Sequence, residues 1–219
     1  MARDIEQFTL LNVRSQLRRA AQHAFAYYHG AIPRAECERV VDESYALLDK
    51  KAHIRHHLVP LAEKWSIDRL RQVGITTGQL VKTVPEVAFV DRANTGPSQM
   101  AAVLLQTYAR GRVNVSSAGS APGDRVSDSV LEVMAELDLD LSSAFPKPVT
   151  DEVLTTLDVL VVIGDPALDL DPAEPTLLVR WDTAEPATDQ VDDVRRARDE
   201  IDQQVLRLLA DLLGRATSR

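Results

Sequence analysis

One short stretch of this chain gathers the residue types that hold an anion. The loop Asp91-Arg92-Ala93-Asn94-Thr95-Gly96-Pro97-Ser98 follows a β-branched and aromatic run, Val87-Ala88-Phe89-Val90. A helical pattern opens directly after it, Gln99-Met100-Ala101-Ala102-Val103-Leu104-Leu105. Strand, small-residue loop and helix start together let loop amides converge and add the partial positive charge of a helix N-terminus. The layout predicts an anion cradle over residues 91–98. The cradle carries a carboxylate of its own, however, in Asp91. An ionised Asp91 a few ångströms from a bound oxyanion would repel it by several kcal/mol at an effective dielectric of ~20. The expectation is that Asp91 folds inward and accepts the amide hydrogen bonds itself.

Other residues that could do chemistry have plainer readings. Cys37 is the only cysteine, which excludes an intrachain disulfide, a multi-cysteine metal site and a thiol relay within this chain. It lies on an apolar helix face between Glu36 and Glu38, where acidic neighbours raise a thiol pKa and packing is its expected role. His53 and His57 share one helix face but lack a third ligand, so no metal site is expected. Trp65 and Trp181 read as core or interface residues. The run Asp165–Glu174 is acidic but rich in proline, and it reads as a solvated loop rather than a calcium loop.

Composition narrows the partners. The formal net charge is −8 and no Lys/Arg block stands out, which disfavours nucleic acid and anionic membrane. No stretch approaches the ~20 apolar residues of a membrane span. The N-terminus, MARDIEQF, lacks the apolar core of a signal peptide, so a cytoplasmic protein is expected. No cofactor is implied.

The elements that must position the loop follow from periodicity. Residues 1–73 read as three amphipathic helices: Ile5–Tyr28, closed by Gly30; a second with Pro33 in its first turn and Cys37, Val40, Val41, Ser44, Leu47 and Leu48 on one face; and a third from Leu58 to Val73 with Pro60 in its first turn. Short connections make a small bundle, marginal alone, which is expected to pack on the second domain or on a partner copy as a homodimer. Residues 74–84, with two glycines and three threonines, read as a linker. From residue 85 the pattern alternates. A second strand is expected at Arg112–Ser117, a helix at Ser127–Leu137, an apolar strand at Asp158–Gly164, a fourth strand at Thr176–Trp181 and a long closing helix at Val191–Leu213. The order β-α-β-α-β-β-α predicts an α/β domain with a four-stranded parallel sheet flanked by helices. Ligands in such sheets sit at the carboxyl ends of the strands, where the loop after the first strand belongs.

Several motifs carry a resemblance. These are Phe89-Val90 with Asn94, Gly96 and Ser98–Ala102; Ser117–Pro122 (SAGSAP); Phe145–Thr150 (FPKPVT) with Asp151-Glu152-Val153; and Trp181-Asp182. On these, residues from about 86 to 213 resemble the low-molecular-weight protein tyrosine phosphatase superfamily, and most closely its arsenate reductases. Glu38–Tyr45 and Leu58–Leu70 resemble the three-helix extension that precedes this domain in some actinobacterial members.

The resemblance implies a loop opened by a cysteine nucleophile and closed by an arginine clamp, spaced CxxxxxR. Asp91 stands at the cysteine position and Pro97 at the arginine position, so the phosphate loop is degenerate. Ala93 stands where arsenate reductases often have histidine, and Glu185-Pro186 where an Asp-Pro general acid is usual. Ile163-Gly164-Asp165-Pro166-Ala167 has none of the recycling cysteines found after the third strand. Loss of a nucleophile costs on the order of 10⁶ in turnover in a hydrolase of another class. Proline removes both the guanidinium and a backbone N–H. An aspartyl-phosphate at Asp91 would call for Mg²⁺ and carboxylates such as Asp182 and Glu185, and Arg92 is a weak substitute for the clamp. The sequence therefore points to a pseudo-enzyme with a binding or structural role. The alternatives are a residual or repurposed enzyme using Glu185 as acid, and a binder of a different small ligand at the Asp91 loop.

Overall fold

The computed structural model describes residues 2–50, 57–164, 170, 172–173, 176–182, 186 and 188–216. His53 and most of the acidic run Asp165–Glu174 lie outside the described residues. The chain divides into two compact units, Met1–Lys82 and Thr83–Arg219.

The first unit holds α1 (Ala2–Tyr27), α2 (Arg34–Asp49) and α3 (Leu58–Thr76). Small residues Ala20, Ala21 and Ala24 on α1 let it approach Val40 and Val41 of α2 and Leu70 and Val73 of α3 closely. Gly30, at φ +74°, takes a left-handed turn after α1 that a side chain would strain, and its amide closes on the Phe25 carbonyl at 3.0 Å. Pro33 lies just before α2 rather than in its first turn. Its carbonyl accepts from the amides of Glu36 and Cys37, the work of the residue that precedes a helix. Arg69 is buried, donates to Ser44 Oγ at 3.0 Å and Glu43 Oε2 at 3.1 Å, and covers the Trp65 ring. Cys37 is fully buried, and burial and then Glu36 push its thiol pKa up, as expected of a packing residue.

Residues Gly74–Thr76, read as the start of a linker, continue α3 instead. Thr76 and Thr77 turn their hydroxyls back onto the carbonyls of Gln72 and Val73, and Leu80 packs on the helical core. Threonines that looked like loop residues thus finish a helix.

The second unit contains β1 (Glu86–Asp91), α4 (Pro97–Ala109), β2 (Asn114–Gly119), α5 (Asp128–Ala135), α6 (Asp151–Thr156), β3 (Val159–Ile163), β4 (Leu177–Trp181) and α7 (Val191–Ala216). All strand pairs are parallel, in the order β2-β1-β3-β4. The expected four-stranded α/β sheet is therefore present. Its strands β1 and β3 are buried along their whole length, which explains their nearly unbroken apolar sequences. On one face Phe89, Val161 and Ile163 pack under α4, α5 and α7 through Leu104, Met134 and Ile201. On the other, Ala88, Val90, Leu160 and Val162 pack with Leu157, Val153 and Leu154 at α6.

The larger differences from the sequence reading are at β2, α5 and α6. β2 begins two residues later than expected and includes Ala118 and Gly119, which pair with Val90 and Asp91. α5 is shorter, because Asp138 takes a left-handed φ of 57° that ends the turn after it. α6 is too short to show a helical period in sequence, and it was not expected. Replacing fully buried Leu104 by Ala should destabilise the unit by about 2–5 kcal/mol. Urea unfolding measures this, and a loss well under 1 kcal/mol would contradict the packing described.

Candidate functional site

The loop between β1 and α4 is shaped from two sides. β1 ends at Asp91, level with Gly119 of β2. Four carbonyls of the loop turn outward. Those of Asp91, Arg92, Ala93 and Thr95 accept from the amides of Ser120, Ala121, Gly123 and Ser127 at 3.2, 2.8, 2.8 and 3.0 Å. A planar peptide points its N–H away from its C=O, so fixing these carbonyls outward turns the following amides inward. The approach is close enough to require glycine at 119. A Cβ there would stand 2.9 Å from the Arg92 carbonyl oxygen and 3.0 Å from the Ala93 carbonyl carbon, both backbone atoms.

Helix α4 supplies the other wall. Gly96 precedes it, and its carbonyl accepts from Gln99 and Met100. Pro97 takes the first helical position, where its fixed φ suits the helix and a missing N–H breaks no helical bond. Asn94 adopts φ +54°, a left-handed conformation that asparagine tolerates better than most residues.

The inward donors meet one acceptor, the Asp91 carboxylate. Oδ1 accepts from the Asn94 amide. Oδ2 accepts from the Ser98 amide at 2.9 Å and the Ser98 hydroxyl at 2.7 Å. The Ala93 amide contributes as well. Asp91 is 1 % exposed. Burial pushes its pKa above the ordinary aspartate value, and the bonds from Ser98, Asn94 and Ala93 pull back without cancelling that rise.

A second ring of bonds holds the loop from behind. Asn94 Nδ2 donates to Ser98 Oγ at 2.9 Å, and Asn94 Oδ1 accepts from Gln99 Nε2 and the Lys147 amide, both at 3.1 Å. Gln99 Nε2 also reaches the Phe145 carbonyl at 3.0 Å, and Gln99 Oε1 accepts from Ser117 Oγ. The segment Phe145–Lys147 is itself tied to the sheet, because the Gly119 amide donates to the Lys147 carbonyl at 2.8 Å.

Of the residues expected in the cradle, Asp91, Asn94, Gly96, Pro97 and Ser98 are buried there, Ala93 and Thr95 are half-buried, and Arg92 is exposed. Asp182 is exposed just past β4. Glu185, the expected acid, lies outside the described residues. Sequence reasoning gave no role to Gln99, Ser117, Gly119 or Lys147. The signal was present, because all four fall inside the quoted motifs.

The sequence over residues 86–217 matches the family Low molecular weight phosphotyrosine protein phosphatase. The chain belongs to that family. Residues 17–74 match the Protein-tyrosine-phosphatase-like, N-terminal domain. Among solved structures, the chain is similar to the thioredoxin-dependent arsenate reductase of Corynebacterium glutamicum, at 31 % identity and TM-score 0.78 over 90 % of this chain and 96 % of that one. It is also similar to an arsenate reductase solved in its phosphate-binding state, at 25 % identity and TM-score 0.54 over 59 % of this chain and 99 % of that one. A Halobacterium salinarum protein named "Putative arsenate reductase" is 33 % identical over 125 residues, 55 % of this chain and 87 % of its own length.

The raised pKa of Asp91 has a definite sign in stability. A carboxyl whose folded pKa exceeds its unfolded value favours the fold at acidic pH, and that contribution is lost as pH rises through the folded value. The unfolding free energy of the wild type relative to Asp91→Asn should therefore fall from acidic to neutral pH. The ¹³C shift of the Asp91 carboxyl should titrate above the usual aspartate range, and Ser98→Ala, which removes a bond that favours the charged form, should move it higher still. A downward move in Ser98→Ala would contradict this arrangement.

Proposed function

We propose that this chain is a non-catalytic member of the low molecular weight phosphotyrosine protein phosphatase family, with a binding or structural role. The observation that carries the reading is the Asp91 carboxylate taking the Asn94 amide, the Ser98 amide and the Ser98 hydroxyl. Bonds to a charged acceptor contribute roughly 1.5–3 kcal/mol each, so an outside oxyanion would have to displace a well-held internal one. It would also meet like charge if Asp91 were ionised.

The family's reaction, as the resemblance describes it, needs a thiolate and a guanidinium in this loop. Neither is supplied by Asp91 or by Pro97. The sole cysteine, Cys37, is buried in the helical core of the other unit. Arg92 is exposed on the loop's outer side, with its own carbonyl bonded to Ala121. These facts support loss of nucleophile and clamp together.

The test is turnover by the pure full-length chain, with p-nitrophenyl phosphate and, separately, with arsenate plus a thioredoxin reducing system. The expected outcome is no turnover above the uncatalysed rate. Turnover above ~1 s⁻¹, within the ordinary enzyme range, would sink the reading.

A further inference from the structure

The outer edge of the sheet has features that the loop does not explain. Among the described residues β4 is an edge strand, paired only with β3. The Leu177 amide donates to the Asp158 carbonyl, and the Trp181 carbonyl accepts from the Gly164 amide. Backbone groups alternate along a strand, so Leu177, Val179 and Trp181 face β3 with their amides and carbonyls. The N–H and C=O of Leu178 face the open edge. Natural edge strands are usually guarded by lysine, proline or a bulge. This one carries the exposed Arg180, but Leu177 and Leu178 are also 38 % and 39 % exposed.

Beside that edge runs a groove of about 310 Å³. Its floor is Leu177, Val179 and Trp181 of β4, and its wall is Leu208 and Leu212 of α7. Arg207 and Asp211 line its α7 side and are exposed. Among the described residues neither forms an ion pair. A plus and a minus charge one helical turn apart are self-complementary under a two-fold axis, which sets each Arg207 toward the other copy's Asp211.

We propose that the β4 edge and this groove form a two-fold interface between two copies of the chain. The register follows from the backbone. An axis at Leu178 lets the two Leu178 residues exchange N–H···O=C bonds as an antiparallel pair and joins the two sheets. Leu177 of each copy then stands opposite Val179 of the other, on the face that lines the groove. The exposed leucines become buried. The two α7 helices run antiparallel and bring unlike charges together.

Sedimentation equilibrium on the full chain, across roughly 1–100 µM, tests this. A reversible dimer is expected. Leu178→Lys places like charges directly opposite at the axis and should raise the dimer Kd at least about tenfold. Asp211→Arg should weaken the dimer too, and adding Arg207→Asp in the same chain should restore it. Because the charge swap touches only exposed residues, it decides the matter even if Leu178→Lys fails to fold. A monomer throughout the range overturns the proposal. So does a dimer that both changes leave intact, since it would be built from another surface, such as the helices of the first unit.

Discussion

The domain turns on the buried carboxyl group of Asp91. Asp91 ends the central strand β1 and sits where inward-facing amides converge. Loop amides left without an acceptor in a buried site would each cost about 1–3 kcal/mol. An arrangement of this kind calls for an acceptor, and here the chain provides it. The rest of the second unit supplies the conditions. The parallel sheet puts the loop at the carboxyl end of β1, residues 120–127 hold its carbonyls outward, and α4 brings Ser98 to the carboxylate. Gly119 makes the close passage of two backbones feasible. Asn94, held by Gln99 and the Lys147 amide, fixes the one left-handed residue of the loop.

Much of this was legible in the sequence. Apolar runs at Val87–Val90 and Val159–Ile163 announced strands covered on both faces, and long periodic stretches announced α2, α3 and α7. The cradle was legible because a strand, small residues and a helix start occur in order. The inward fold of Asp91 was legible too, since it follows from what a carboxylate must do among amides. Short elements were not. α6 has too few residues to establish a period, and the end of α3 was hidden because Thr76 and Thr77 have loop-like identities but bond back to the helix. The motifs flagged Gln99, Ser117 and Lys147 but not the bonds they make. Ser117 and Lys147 reach the Asn94–Gln99 pair only through folding, across separations that no local pattern encodes.

The contrast between frame and chemistry organises the functional reading. The frame of an oxyanion site is present: the strand, the inward amides, the serine and the helix start. At the positions that the resemblance assigns to nucleophile and clamp stand a carboxylate and a proline. Each fits its place structurally. Pro97 takes a first helical position that suits proline, and Asp91 neutralises the demand of the amides. Neither reads as damage to the scaffold. A site closed in this way stabilises its own loop.

The most direct measurement is isothermal titration of the full chain with inorganic phosphate, run in parallel on the wild type and on Asp91→Gly. Removing the carboxylate while the outward carbonyl bonds and the Asn94 network remain should leave the amides facing an empty cradle. The account predicts no binding to the wild type at millimolar phosphate and measurable binding to the variant. Binding to the wild type at millimolar or tighter affinity would contradict it, because the loop would then be open to anions with Asp91 in place.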